Sequence, residues 1–366
     1  MTGGLILLQC VHMFTQTLAK RVLGSDLVAL LTGPHGVDRY TELLTPTWTL
    51  GEPRAKVVDV RRSTPRSVTL TLQPNAAFGS MGPALQAGQY VNLTVDIDGR
   101  RHIRCYSPAN GEGARHLELT IGRLDGGLVS THLYKHARRG MVVGLGGVGG
   151  AFVLPTPRPR RILFVSGGSG ITPVMAMLRT LIAEAHHGEI AFIHYAPSAA
   201  EACYRDELAA LPRVRVLHGY TRSGNGDLAG HFGPEHLAAA MQSPDAVFVC
   251  GPAALVDAVR EHCTNVYTES FVAPRLDVPT GPSGGRVTFT DSGIDVVDDG
   301  RPLLEQAEEA GLNPQSGCRM GICHTCTRRK TTGIVRNLTT GAVSAGADED
   351  VQICVSAPIG DVEIAL

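Results

Sequence analysis

Four cysteines near the end of the chain carry the densest chemistry in the sequence. Cys318-Arg-Met-Gly-Ile-Cys323-His-Thr-Cys326 is followed at a distance by Cys354. This C-x4-C-x2-C…C spacing is one by which four thiolates hold a two-iron, two-sulfide cluster. Thiolates are soft, charged donors that suit ferric and ferrous iron alike. Gly317 and Gly321 keep side chains out of a loop whose amides must face sulfur. Zinc also takes four cysteines but favours two close C-x2-C units, whereas here three ligands crowd one loop. His324 stands between two ligands without the second histidine a Rieske centre needs, so it is expected to be exposed. The predicted metal ligands are Cys318, Cys323, Cys326 and Cys354.

Two further groups suit nucleotides. Arg104-Cys-Tyr106-Ser107 ends a predicted strand, and Gly126-Gly-Leu-Val129-Ser130-Thr131 follows downstream. A guanidinium suits phosphate and an aromatic ring suits a flat heterocycle. Ser130 and Thr131, opening the helical stretch Thr131 to Ala137, offer hydroxyl and N–H donors to phosphate. Ser166-Gly167-Gly168-Ser169-Gly170-Ile-Thr172-Pro joins an apolar strand to a helix, which makes an anion cradle distinct from G-x-G-x-x-G. Cys250-Gly251-Pro252 follows another strand, and Tyr267-Thr-Glu269-Ser-Phe271 closes that region.

The elements that must position these groups fall into blocks. A chain of 366 residues suggests two or three domains at about 150 residues each. Residues 54–157 read as short strands broken by Gly and Pro (Lys56 to Val60, Ser67 to Leu72, Tyr90 to Val95, His102 to Ser107, His116 to Ile121, Met141 to Leu145), an antiparallel β-barrel. Residues 158–272 alternate strands with helical patterns at Val174 to Ala185, Ala200 to Leu211 and Pro234 to Met241, an α/β domain with a parallel sheet. Residues 273–284 are a Pro, Gly and Ser linker, and residues 285–366 form a compact unit with the strand Arg286 to Thr290 and the helix Leu303 to Ala310.

Residues 1–53 are an N-terminal extension. Leu7, Val11, Phe14, Leu18 and Val22 recur at helical spacing, giving an amphipathic helix that packs on the body or touches a membrane through residues 5–22. The apolar run Leu5 to Leu8 is too short for a signal or span. Scattered cysteines at 10, 105, 203, 250 and 263 argue against a disulfide framework and for a reducing, cytoplasmic setting. A net charge of -1 argues against nucleic acid as the partner.

With Arg319 and Gly321 in place and Val351-Gln-Ile-Cys354-Val-Ser-Ala-Pro as its tail, the cysteine segment resembles the plant-type ferredoxin family over residues 285–366. The resemblance implies an α+β β-grasp fold and a one-electron carrier of low potential. Residues 54–272 resemble the ferredoxin-NADP reductase superfamily. That implies Arg104 on the flavin diphosphate, Tyr106 against the isoalloxazine ring and Ser107 near N5. It implies Val129, Ser130 and Thr131 at the flavin phosphates, and Gly167, Gly168, Ser169, Gly170 and Thr172 around the NAD(P) pyrophosphate. Gly251 and Pro252 would frame the nicotinamide pocket, with Cys250 and Glu269 lining the hydride-transfer site beside Ser107. Phe271 ends the domain as in FAD-using members, which places FAD ahead of FMN. NADPH is placed ahead of NADH on Arg222, which suits a bidentate 2′-phosphate contact. Relatives often carry Arg-Ser or Arg-Thr after the preceding strand, where this chain has Pro197-Ser198.

The expected function is an NAD(P)H-dependent reductase passing electrons through flavin and a 2Fe-2S cluster to an acceptor protein. Domain order resembles the phthalate dioxygenase reductase group. Pro34-His-Gly-Val-Asp-Arg-Tyr and Pro46-Thr-Trp48 resemble bacterial reductases that serve membrane-bound acyl-CoA desaturases or diiron monooxygenases. Such an acceptor is the first expectation, and a ring-hydroxylating oxygenase the second. A redox-sensing binding subunit and a self-contained small-substrate reductase stay open as other readings. Trp48 is read as a packing residue, with a cover over the flavin as the other reading. Residues 286–366 hold 12 acidic and 7 basic side chains, a net of -5 against +4 for the remainder, a contrast that would either help the last unit dock on the body or serve only the external partner.

Overall fold

Alternating apolar and polar residues build the first sheet, as β3 shows: in Tyr90–Ile97, Val91, Leu93, Val95 and Ile97 are buried while Asn92, Thr94 and Asp96 are not. The computed structural model describes residues 38–49, 51–80, 84–269, 271 and 284–366. The expected helix at residues 5–22 and the linker at 273–283 lie outside them.

A short helix, α1 (Asp38–Leu44), leads into β1 (Arg54–Thr64) and β2 (Ser67–Pro74). Next come α2 (Ala76–Gly79), β3, β4 (Arg100–Tyr106), β5 (Leu117–Gly122), α3 (Leu128–His136) and β6 (Val142–Gly149). The six strands pair antiparallel in the order β4-β3-β6-β1-β2-β5 around a core that includes Leu70, Leu93, Leu119 and Leu133. Each such side chain contributes about 1.5–3 kcal/mol on burial. Trp48 is a correction: it is 45 % exposed rather than packed.

The second sheet is parallel throughout, in the order β11-β10-β7-β8-β9. Its elements are β7 (Arg161–Gly167), α4 (Ile171–Ala183), β8 (Glu189–Ala196), α5 (Arg205–Ala209), β9 (Val214–Tyr220), α6 (Pro234–Ala240), β10 (Ala246–Cys250), α7 (Ala253–His262) and β11 (Val266–Glu269). Residues 162–167 of β7 are buried without interruption, because helices cover both faces. The helix expected over 200–211 is shorter. Tyr204 takes a left-handed φ of 58° ahead of α5, and its hydroxyl reaches Glu118 of the barrel at 3.0 Å. Contact with the barrel thus overrides local helix propensity. Helix α4 starts three residues before the expected Val174, with Gly170 as its N-cap, and α7 was not foreseen.

The third sheet contains β12 (Arg286–Phe289), β13 (Ile294–Val297), β14 (Thr327–Asn337), β15 (Val343–Ser344), β16 (Glu349–Gln352) and β17 (Ser356–Ile364). Strands run β13-β12-β17-β14-β15, with β16 on β14, and α8 (Leu303–Glu309) buries Leu303, Leu304 and Ala307 against them. Among the described residues no helix is long and apolar enough to cross a membrane.

Candidate functional site

The cluster loop is shaped by its glycines and by sulfur-directed amides. The Cys318 amide donates to Cys323 Sγ at 3.1 Å, and the Met320 and Cys323 amides donate to Cys318 Sγ at 3.3 and 3.4 Å. A Cβ on Gly317 would stand 2.5 Å from Cys323 Sγ, so the loop closes only without a side chain there. Gly321 holds φ at +75°, and Arg319 and His324 are also left-handed. Arg319 is anchored to Glu308 by an ion pair of 2.9 Å through Nη1. His324 is exposed, as expected, and its ring meets Gln352 Nε2 at 3.2 Å.

The four sulfurs fall into two neighbouring pairs. Hydrogen bonds from Cys105 and then Cys318 pull the Cys323 thiol well below its usual range. The Cys354 thiol donates to Cys326, which raises Cys354 and brings Cys326 down to about 7. Two pairs of thiolates suit two irons, one pair each, so the residues present fit the cluster.

The Arg104-Cys-Tyr106-Ser107 segment lies against this loop. Arg104 Nη1 donates to Gly317 O at 2.9 Å, and Tyr90 Oη donates to Ile322 O at 2.7 Å. Burial pushes the Tyr90 phenol up to about 12 and raises Tyr106 further. Ser107 Oγ is buried without a partner, a polar atom left for a ligand. Helix α3 begins at Leu128, three residues before the expected Thr131, and Gly127 caps it without a side chain, which leaves its first amides free. Val129 has its side chain in the barrel core, so only its backbone is available to phosphate. Ser130 Oγ accepts from the Leu124 amide at 3.1 Å.

The parallel-sheet domain carries a cavity of about 420 Å³, lined by Gly167, Gly168, Ser169 and Gly170, by Thr221, by Gly251 and Pro252, and by Phe271. It opens at the carboxyl ends of β7 and β10, where parallel sheets bind ligands. A Cβ on Gly170 would meet Cys250 O at 2.3 Å, so glycine lets the cradle close on the Cys-Gly-Pro turn. Thr172 Oγ1 donates to Ser169 O at 3.2 Å. Arg222 is exposed beside Thr221, and its amide donates to Pro197 O at 3.0 Å, which brings together the two segments weighed for a 2′-phosphate.

Cys250 and Glu269 pair in register. Cys250 is fully buried, which raises its thiol. Burial pushes Glu269 up to about 8, and its Oε2 has no partner. The same row continues through Ser166, His194 and His218 across all five strands. Ser166 Oγ meets His194 Nδ1 at 2.8 Å, and burial brings His194 down to about 3. Sequence reasoning missed His194, His218, Tyr90 and Cys105. His194 and His218 lie near the carboxyl ends of the apolar strands β8 and β9, and a titratable side chain at such a place is the signal that could have found them.

Three family models match the chain in sequence: an oxidoreductase FAD-binding domain over residues 57–154, an oxidoreductase NAD-binding domain over 164–261, and a 2Fe-2S iron-sulfur cluster binding domain over 287–358. The chain is 36% identical to an NADPH oxidoreductase of Mycobacterium tuberculosis over 357 residues, covering 92% of this chain and 90% of that protein. It is 29% identical to the glycine betaine monooxygenase reductase subunit of Pseudomonas aeruginosa, covering 87% and 97%. The solved phthalate dioxygenase reductase matches its fold with a TM-score of 0.59 at 22% identity, covering 86% of this chain and 97% of that one. With three sheets in this order, a glycine cradle between the first two and a four-cysteine loop in the third, the chain belongs to the ferredoxin-NADP reductase superfamily of flavoproteins, in the branch that carries a C-terminal 2Fe-2S ferredoxin module.

Proposed function

We propose that this oxidoreductase takes electrons from NADPH through FAD and the 2Fe-2S cluster and delivers them singly to an iron-dependent oxygenase-class acceptor protein. The observation that carries the reading is convergence. Strand β4 of the barrel touches the cluster loop through Arg104, while Gly122 at the end of β5 would bring a Cβ to 3.5 Å from Ser169 of the glycine cradle. FAD, when bound, accepts two electrons as a hydride and releases them one at a time. Tyr106 would support its ring and the buried Ser107 hydroxyl would face N5. The α3 amides with Ser130 and Thr131 would hold phosphate, and Arg104 has guanidinium N–H groups to add beyond the one given to Gly317. Gly167 to Gly170, Thr172, Gly251 and Pro252 would seat the dinucleotide, with Arg222 at a 2′-phosphate and Phe271 over the ring site. Cys250 and the protonated Glu269 would exclude water and hold a proton beside the reacting rings.

The names of the relatives support an oxygenase acceptor, since several are reductase subunits of a monooxygenase or a demethylase. A membrane-bound acyl-CoA desaturase is the second reading, carried by the N-terminal extension. The test is NADPH oxidation by the holoenzyme with either a purified oxygenase component or membranes bearing a desaturase, and Cys326→Ser as control. Product in one arm identifies the acceptor class. Equal turnover with NADH and NADPH would remove the assignment to Arg222, and turnover without any acceptor protein would overturn the electron-delivery role.

A further inference from the structure

Cys105 has no part in the roles above, yet it holds an unusual place. Its Sγ and those of Cys318 and Cys323 all lie within 4.8 Å of one another, although Cys105 belongs to the barrel and the other two to the ferredoxin module. The approach is held from both sides of Cys105. Arg104 Nη1 grips Gly317 O, the carbonyl just before Cys318, and Tyr90 Oη grips Ile322 O, the carbonyl just before Cys323. Asn92 faces Cys105 in register on β3, and the Cys105 thiol donates to its Oδ1 at 3.1 Å.

Four thiolates already complete the cluster in two pairs, so a fifth sulfur is not needed as a ligand. Resting on the cluster reading above, we infer that Cys105 is a positioning residue whose S–H is directed at the ligand sulfurs of Cys318 and Cys323, raising the reduction potential of the cluster. An ordinary cysteine thiol carries its proton at neutral pH. Its one S–H is a weak donor and can serve one acceptor at a time. Oxygen and nitrogen of an amide are assigned from such networks, so with the Asn92 amide turned over, Nδ2 donates to Cys105 Sγ and the S–H is free for a ligand sulfur. Hydrogen bonds to cluster sulfurs are one of the levers on potential. The reduced cluster carries one more negative charge than the oxidised one, so a donor favours it. Because the donor comes from the barrel, the tuning acts only while the cluster loop is docked.

The experiment is an EPR-monitored potentiometric titration of the holoenzyme as wild type, Cys105→Ala and Cys105→Ser, with FAD and iron measured in each. Removing the donor is expected to lower the cluster midpoint by up to about 59 mV, the one-electron equivalent of tenfold. The hydroxyl of the serine variant restores the midpoint toward wild type, and the flavin midpoint stays in place. A cluster midpoint that is unchanged or higher in Cys105→Ala overturns the inference, as does a serine variant that falls with the alanine one. Loss of iron from both variants would make Cys105 a ligand and overturn it too. A wild-type protein with no 2Fe-2S signal would instead remove the cluster reading itself, which keeps the two failures apart.

Discussion

Where the barrel meets the parallel sheet, Arg179 pairs with Glu118 of β5 at 3.0 Å and with Glu207 at 2.7 Å, its guanidinium lies over the Tyr204 ring, and Met177 fills space beside Gly88. Where the barrel meets the ferredoxin module, two side-chain donors reach two backbone carbonyls and a thiol faces two others. Among the described residues no ion pair spans the second joint. The difference follows the cargo. Hydride transfer needs reacting atoms about 3–3.5 Å apart, so the first joint must be rigid. A single electron needs no such near-attack geometry, and a few contacts suffice.

The most severe break is on the ferredoxin side and should leave the other joint intact. Cys326→Ser removes a buried ligand; NADPH-dependent cytochrome c reduction is expected to fall to background while the flavin is still bleached by NADPH, read by stopped-flow absorbance. Loss of flavin reduction as well would show the joints to be one unit. Next in size is Gly88→Ala, at φ +98°, whose Cβ would meet Phe152 O at 2.1 Å and Met177 Cε at 2.5 Å. Left-handed backbone and overpacking together cost about 2–5 kcal/mol, measurable by urea unfolding. Arg179→Met should cost less, about 1–2 kcal/mol, because the guanidinium is 23 % exposed and partly screened.

Glu269 gives the rigid side a pH signature. Its carboxyl is raised from 4.5 to about 8 by burial, so between those values the folded protein keeps a proton that the unfolded chain has lost. Its contribution to stability is therefore greatest below about pH 4.5 and is lost as pH rises through 8. The rate of flavin reduction by NADPH should fall across the upper end of that window. Glu269→Gln, a neutral donor at every pH, should flatten the profile; an unchanged profile would place the titrating group elsewhere.

How much of this was legible in the sequence depends on whether local chemistry or tertiary contact decided the residue. Cys318, Cys323, Cys326 and Cys354 were legible because metal chemistry fixes their spacing, and the glycine cradle because anion binding fixes its backbone. The strands of the first two sheets were readable within a few residues from their apolar pattern, except the short edge strand β11, whereas most of the third sheet was not, its strands being short or mixed. Tyr204 broke an expected helix because a hydrogen bond to Glu118 outweighs local propensity. Cys105 and Tyr90 looked like ordinary strand residues, since nothing local announces that a loop more than 200 positions away will lie on them.

The smallest effect is the sharpest test of the light joint. Tyr90→Phe removes the hydroxyl that holds Ile322 O and keeps the ring, which stays wedged against Gly149 and Gly150. One neutral hydrogen bond contributes about 0.5–1.5 kcal/mol, so global stability should move by about 1 kcal/mol or less. The cluster-loop amides should nonetheless exchange hydrogen faster, and flavin-to-cluster transfer should slow, because that carbonyl precedes Cys323. The charge contrast between the modules meets no ion pair at this joint among the described residues, so the transfer rate should vary little with ionic strength. A stability loss as large as that of Arg179→Met, or a steep salt dependence, would mean that the ferredoxin module is held by more than the two carbonyls and the sulfurs.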